Sequence, residues 1–383
     1  MLSPGRTIGM LGGGQLGRMT LLAARAMGYR SLVLEPGAHG PAAQVADEHL
    51  NAAYTDPDAL QRLMRDADVI TFEFENLPVS SLEQLGASLA TRPGPHVLHV
   101  TQDRVREKQF VQQCELEVTP FAAIERPEAL ADAVEQVGFP AILKTSRLGY
   151  DGKGQVRLPA GPDALARLTD AWQTLQRQPC ILERFVPFER ELSVVVVRDV
   201  YGNTHAYPAA ENVHVGGILD SSTVPALLPE GVAQRAQRQA ETLARVLKLV
   251  GVLAVEYFVC SDGRLLINEL APRPHNSGHW SIEACATSQF EQQVRTTIGA
   301  TVGDTTLLSP ACTVNLLGEL WEGGAPDWEA LLERSDVHLH LYGKKEARPG
   351  RKMGHITVLA DTPERARTRA LEARALLTRG RTS

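Results

Sequence analysis

The side chains best suited to chemistry gather in Asn268-Glu269-Leu270-Ala271-Pro272-Arg273-Pro274-His275-Asn276-Ser277-Gly278-His279, just after the strand-like run Leu265-Leu266-Ile267. A second carboxylate, Glu256, stands on the strand before it. An ionised carboxylate at the end of an apolar strand is costly to bury alone, and two on adjacent strands repel unless a cation lies between them. Glu256, Glu269 and Asn268 form an oxygen-ligand set that suits Mg²⁺, which takes few protein ligands and fills its octahedron with phosphate oxygens. Arg273, His275, Asn276 and His279 follow, all able to hold an anion. The stretch reads as a meeting point of metal, nucleotide phosphates and a small oxyanion. The plainer alternative is a salt-bridged hairpin followed by a polar loop.

Gly12-Gly13-Gly14-Gln15-Leu16-Gly17 matches GxGxxG between a strand and a helix, and Glu35 closes the next strand. Such a turn lets a backbone approach a phosphate at a helix N-terminus. It fits a nicotinamide-dependent dehydrogenase, and equally any Rossmann-like domain that holds a phosphorylated substrate. Lys144 and then Gly149-Tyr150-Asp151-Gly152-Lys153-Gly154-Gln155 place a cation before a flexible glycine loop. Glycine amides can close over phosphates while lysine offsets their charge. The spacing is not that of a Walker A loop, and a plain hairpin turn is the alternative. Glu183-Arg184-Phe185-Val186 looks like a hinge whose backbone could read an adenine edge, with Glu191 accepting ribose hydroxyls. An alternating charged strand edge has the same composition.

Glu73-Phe74-Glu75-Asn76 ends a strand of the first domain. Ligands of open α/β sheets bind at the carboxyl ends of strands, so Glu73 and Asn76 could hold hydroxyls or an amine. Asn76 could equally cap a helix. Gly343-Lys344-Lys345-Glu346-Ala347-Arg348-Pro349-Gly350-Arg351-Lys352-Met353-Gly354-His355 packs cations into a loop between two strands. A charge run is ordinarily a solvated loop, but in an acidic protein it is a natural phosphate seat.

These residues need a scaffold, and 383 residues suffice for two or three domains with cores. Hydrophobic content of 43% and charged content of 22% are ordinary for a soluble globular protein. A net charge of −6 argues against a nucleic-acid surface. The five cysteines are scattered without a CxxC pair, so disulfides and zinc are not expected and a reducing cytoplasm is. The first residues lack the apolar length of a signal peptide, and no run approaches the roughly 18 apolar residues of a membrane span.

Residues 1–100 alternate strand and helix: strands at 7–11, 31–34 and 68–72, helices at 16–27 and 56–65. That pattern implies a parallel sheet covered by helices. Pro93-Gly94-Pro95 marks the domain edge. From 101 to 310 strands come in groups with helices set aside, an α+β pattern. It includes a helix near 103–114, a long amphipathic helix at 232–249 and a hairpin of strands 252–259 and 264–270 across Ser261-Asp262-Gly263. Residues 311–383 carry short strands at 338–342 and 355–359 and a terminal helix at 363–377.

Taken together, the segments Thr71-Phe72-Glu73-Phe74-Glu75-Asn76, Tyr150-Asp151-Gly152-Lys153-Gly154-Gln155 and Leu270 through His279 resemble one family closely. It is the ATP-grasp N5-carboxyaminoimidazole ribonucleotide synthetases of purine biosynthesis, and the likeness runs almost end to end. The resemblance implies an ATP-grasp fold with a Rossmann-like N-terminal domain (1–100), an ATP-grasp domain (101–310) and a small β-rich C-terminal domain (311–383), in a homodimer. It implies that ATP phosphorylates bicarbonate to carboxyphosphate and that the amino group of 5-aminoimidazole ribonucleotide is then carboxylated, by carboxyphosphate or by CO₂ released from it.

The same resemblance puts ATP against Arg104, Lys144, Gly149 to Gln155, Glu183, Arg184, Phe185, Val186, Glu191, His214, Asn268 and Glu269. Mg²⁺, which Mn²⁺ could replace, would sit on Glu256 and Glu269, and no biotin is expected. Carboxyphosphate would lie near Arg273, His275 and Asn276. The ribonucleotide would touch Gly14, Gln15, Glu73, Asn76, Tyr150, Asp151, Lys345, Arg348, Arg351 and Lys352. Asp151 and Lys345 would join Arg273, His275 and Asn276 in the chemistry, with Lys344 as a one-residue ambiguity. Formate-dependent glycinamide ribonucleotide transformylases and biotin carboxylases share the chemistry but fit the 275–279 segment and the 345–355 loop less well. A dehydrogenase leaves the Glu256/Glu269 pair unexplained, and a non-catalytic ATP-binding regulator needs no separate ribonucleotide site.

Overall fold

The computed structural model describes residues 1–149 and 154–378, with backbone alone at Glu230. Tyr150, Asp151, Gly152 and Lys153 lie outside the described residues. The first unit is a parallel sheet of β1 (Thr7–Leu11), β2 (Arg30–Leu34), β3 (Glu48–Leu50) and β4 (Val69–Phe72), in the order β3-β2-β1-β4. β1, β2 and β4 are buried through nearly their whole length, as strands covered on both faces require, while the edge strand β3 is partly exposed. Helix Gln15–Ala26 follows β1 directly. Helix Pro57–Asp66 starts where expected, with proline in its first turn and Asp56 accepting from Ala59 N at 2.9 Å.

Helix Arg104–Gln113 leads out of this unit, capped by Asp103, whose Oδ1 accepts from Val105 N and Arg106 N. Next comes a small antiparallel sheet of β5 (Phe121–Ile124), β6 (Ala141–Thr145), β7 (Gln155–Leu158) and β8 (Cys180–Arg184), in the order β5-β8-β6-β7. The glycine loop around residue 150 joins β6 to β7. Helices Ala129–Val137 and Ala164–Thr174 close one face over Leu143, Leu168, Trp172 and Leu182.

A larger sheet carries the rest. It comprises β9 (Arg190–Arg198), β10 (Thr204–Ala206), β11 (Ala210–Val215), β12 (Ile218–Val224), β13 (Gly251–Val259), β14 (Leu265–Ala271), β15 (Ala311–Leu317), β16 (Val337–Leu341) and β17 (Lys352–Leu359). The order is β14-β13-β9-β11-β12-β15-β17-β16, with β10 against β9. The sheet therefore runs without a break across residue 310, because Ser221 to Val224 of β12 pair with Val314 to Ala311 of β15. Along β13, Leu253, Val255 and Tyr257 face helix Glu230–Val246. Val252 and Ala254 point to the other face, against Trp280, and the two-residue period puts Glu256 on that side.

The expected elements form with small shifts at their ends. The sequence pattern does not announce several further strands, notably β3, β11, β12 and β15. Each is short or mixes polar and apolar residues; β11 and β12 pair with each other across Gly216-Gly217, and their outer partners, β9 and β15, are more distant in sequence.

Candidate active site

Glu256 and Glu269 face each other across β13 and β14. Register slips just beyond: Glu256 opposes Glu269 but Tyr257 opposes Ile267, leaving Asn268 as an extra residue on β14. A bulge of this kind re-aims side chains. Here it turns consecutive residues Asn268 and Glu269 both out of the core while Ile267 and Leu270 stay in it. Burial and then the charge of Glu269 push the Glu256 carboxyl up to about 7. Among the described residues no group of three or more His, Cys, Asp or Glu is arranged to hold a metal ion by itself. The pair suits a hard cation that takes its remaining ligands from phosphate and water.

Cations and imidazoles surround the pair. Arg104 Nη1 donates to Glu269 Oε2 at 3.2 Å, and its Nη2 to Gly149 O at 3.2 Å. His275 Nε2 lies 3.6 Å from Glu256 Oε1. That is no ion pair, because burial and then the charge of Arg273 hold His275 neutral. His214 of β11 hydrogen-bonds Glu191 of β9 through Nδ1. Burial lowers the His214 pKa, but the Glu191 bond and the Glu256 charge outweigh it and raise the group above its ordinary value. Lys352, the first residue of β17, acts electrostatically on Glu256, His214 and His275, so one cation of the 343–352 loop reaches this centre.

Glu183, from β8, sits between two lysines. Its Oε2 accepts from Lys144 Nζ at 2.9 Å and its Oε1 lies 3.7 Å from Lys108 Nζ. Burial alone would raise this carboxyl; Lys108 and Lys144 bring it down to about 2. Arg184 turns away and donates to Val137 O, and the amides of Arg184 and Phe185 bond Pro120 O and Pro140 O. An adenine edge would be read by other backbone groups of the 183–186 segment. Gly154 is left-handed (φ +70°) at the mouth of β7, with Gln155 opposite Lys144.

Arg273 holds Glu75 with both prongs, Nε to Oε2 at 2.5 Å and Nη2 to Oε1 at 2.9 Å. Glu73, two residues earlier, turns back into its own unit: one oxygen accepts from Gly14 N and the other from Gly17 N at 2.7 Å. Gly12 makes this possible. Its φ is +108°, and a Cβ there would stand 2.5 Å from Glu73 Cγ. Gly13 N donates to Glu35 Oε2 at 2.8 Å, and Tyr54 OH reaches the same oxygen. The amides that would receive a cofactor's pyrophosphate in a dinucleotide fold are thus held by two glutamates of the chain itself. Asn76 is partly exposed and does not cap the next helix, whose N-cap is Pro78.

Asn276 is buried and exchanges both amide hydrogen bonds with Asn315 of β15. Lys345 is exposed, Arg348 is exposed and bound to Glu346, and Arg351 donates to Glu346 O at 2.7 Å. Lys344 Nζ donates to Lys352 O at 2.6 Å. Gln44 of the first unit donates to Gly343 O at 2.7 Å and is itself held by Arg18, tying the glycine-loop side to the cationic loop. Sequence reasoning passes over Glu75, Glu107, Lys108 and Asn315. No motif marks them; their roles come from contacts between segments far apart in the chain.

The chain matches the ribonucleotide synthetase preATP-grasp domain over residues 5–102. It matches the ATP-grasp domain over 109–290 and the phosphoribosylaminoimidazole carboxylase C-terminal domain over 311–369. It is 49% identical over 356 residues to the N5-carboxyaminoimidazole ribonucleotide synthase of Brucella melitensis, covering 93% of this chain and 97% of that one. A crystal structure of the ADP complex of an N5-carboxyaminoimidazole ribonucleotide synthetase superposes with a TM-score of 0.91 at 44% identity, covering 97% of each chain. The Aspergillus clavatus N5-carboxyaminoimidazole synthase in complex with ADP and 5-aminoimidazole ribonucleotide superposes at 0.86 with 29% identity, covering 98% of this chain and 99% of that one.

Proposed function

Because the chain belongs to the N5-carboxyaminoimidazole ribonucleotide synthase family, we infer that it is an ATP-dependent ligase of purine biosynthesis. It carboxylates 5-aminoimidazole ribonucleotide to N5-carboxyaminoimidazole ribonucleotide, releasing ADP and phosphate. The observation that carries this reading is the meeting of the Glu256/Glu269 pair with Arg104, His275 and Lys352.

In this reading bicarbonate supplies the carboxyl group. One of its oxygens attacks the γ-phosphorus of ATP, the bond to the bridging oxygen breaks, and ADP leaves. Arg104 and Lys144 bind the nucleotide phosphates, Glu191 and His214 the ribose, and the 183–186 segment the base. Glu256 and Glu269 would hold Mg²⁺, which when bound offsets charge on the transferring phosphoryl group. Arg273 and His275 hold the resulting carboxyphosphate, with Asn276 shaping its floor, and exclude water that would hydrolyse it. The amine of the ribonucleotide then attacks the carboxyl carbon, phosphate leaves, and Asp151 takes the amine proton. Gly14, Gln15, Glu73, Asn76, Tyr150, Lys345, Arg348, Arg351 and Lys352 serve the ribonucleotide.

The chain works as three domains, 1–100, 101–310 and 311–383, in a cytoplasmic homodimer. The five cysteines are free, as a reducing compartment would keep them. The test is ADP release with bicarbonate or formate, with and without the ribonucleotide. Bicarbonate-dependent release stimulated by the ribonucleotide is expected. Product formation with formate alone would move the chain to the transformylases.

A further inference from the structure

Helix Arg104–Gln113 presents Arg104, Glu107 and Lys108 on one face, as positions i, i+3 and i+4 must lie. Each reaches a different atom of one three-residue stretch of β14. Arg104 bonds the carboxylate of Glu269. Lys108 Nζ donates to the carbonyl of Asn268 at 3.3 Å, and Glu107 Oε2 accepts from Leu270 N at 2.9 Å. The peptide groups on both sides of Glu269 are therefore held by side chains of the same helix.

The cost of this arrangement shows that it is specific. Glu107 and Lys108 are each only 2% exposed, and burying charged groups is unfavourable unless they are paired and hydrogen-bonded. A helix in that place could satisfy its own backbone with apolar residues on this face. β14 is the edge strand of its sheet; Ile267 N donates outward to Glu117 O at 2.8 Å, and beyond that residue the outward N–H and C=O groups have no strand to pair with. The bulge at Asn268 disturbs the ladder at the same point. Without the helix side chains, Glu269 would stand on bulged edge backbone with no neighbour on its outer side.

We propose that Glu107 and Lys108 are positioning residues, which clamp the Asn268–Leu270 backbone so that Glu269 is fixed for the ATP–metal complex. The proposal rests on the reading that Glu269 serves that complex. Lys108 has a second reach, toward Glu183 at 3.7 Å, and so couples the small sheet to the clamp.

The test uses the full chain with Glu107→Leu, Glu107→Gln and Lys108→Met. Partners that orient a metal ligand are worth about ten- to hundredfold in metal affinity or activity. Glu107→Leu and Lys108→Met should lower kcat for ADP formation by about that factor and raise the Mg²⁺ concentration for half-activation. Calorimetric ADP binding should lose its Mg²⁺-dependent gain, while KM for the ribonucleotide stays near its original value. Glu107→Gln keeps an acceptor for Leu270 N and should recover most of the loss. Folded variants with unchanged kcat and Mg²⁺ dependence would overturn the proposal, as would a Glu107→Gln as damaged as Glu107→Leu.

Hydrogen exchange at the Leu270 amide of the unsubstituted chain gives an answer even if a variant does not fold. Strong protection with or without nucleotide is expected, and rapid exchange would also overturn the clamp. Glu269→Gln separates the two levels. If it leaves turnover and Mg²⁺ dependence intact, the metal-site reading fails. If it impairs them while the helix variants do not, the positioning role alone fails.

Discussion

Arg273 and Glu75, 198 positions apart, form a two-pronged ion pair that joins the segment after β4 to the segment after β14. Burial raises the Glu75 carboxyl, and Arg273 more than reverses this, so the group ends below its ordinary value. The pair is partly buried, and removing one partner strands the other charge, at a cost of at most about 3–5 kcal/mol, the figure for full burial. Glu75→Gln should lower the denaturation midpoint and reduce turnover by displacing Arg273. Glu75→Gln combined with Arg273→Met should be more stable than the two losses added. Strict additivity in the denaturation data would show that the two side chains do not act as a pair.

Glu73 supplies a second prediction. Its carboxylate takes the amides of Gly14 and Gly17 at the start of helix Gln15–Ala26, a place where negative charge is favourable. NADH and NADPH should therefore show no saturable binding, because the pyrophosphate would meet a carboxylate there. Glu73→Ala should cost about 1–2 kcal/mol of stability. Saturable nicotinamide fluorescence with accompanying hydride transfer would contradict this.

Glu183 sets an acid limit. Its folded pKa of about 2 lies below the ordinary 4.5. Its contribution to stability is thus complete above the ordinary value and is lost as pH falls toward 2. Over that window unfolding of the unsubstituted chain should take up about one more proton than unfolding of Glu183→Gln. Denaturation midpoints measured against pH give the slope directly, and equal slopes would show that the two lysines do not hold Glu183 ionised.

Glu256→Gln and Glu269→Gln keep side-chain shape while removing a charge from the carboxylate pair. Because Glu269 raises the Glu256 pKa, the Glu256→Gln chain should melt no lower than the original. ATP cleavage should fall on the order of a hundredfold or more in both variants. Near-normal cleavage would remove the pair from phosphoryl transfer.

The two half-reactions should separate genetically. Asp151→Ala and Lys345→Ala should abolish carboxylated product, with any remaining ADP release no longer stimulated by the ribonucleotide. The ratio of ADP formed to ribonucleotide consumed is the measurement. A ratio near one with a modest fall in rate would redirect attention to Lys344 or His355.

The residues around Glu269 are legible in the amino-acid sequence, because two carboxylates on consecutive apolar strands repel each other unless a cation joins them. Their orientation is not. Strict strand alternation would send Asn268 and Glu269 to opposite faces, and the bulge that overrides it comes from pairing with β13. Glu73 and Glu75 share a face by the same alternation, yet one turns back to the glycine loop and the other reaches Arg273. Glu107 and Lys108 look in sequence like an ordinary solvated helix face, and only packing against β14 buries them. β15 escapes a reading by periodicity because Ala311–Leu317 mixes polar and apolar residues and pairs with strands on both sides that lie far away in the chain.

The unbroken path from β14 to β17 has a mechanical consequence. The carboxylate strands and the strand that begins with Lys352 belong to one hydrogen-bonded plate, and sliding one past the other would shear several ladders at once. β6 and β7 belong to a different, smaller sheet. The floor that carries Glu256, Glu269 and Lys352 thus resists shear as one anvil, whereas Lys144 of β6 and Glu183 of β8 are held by a separate set of ladders.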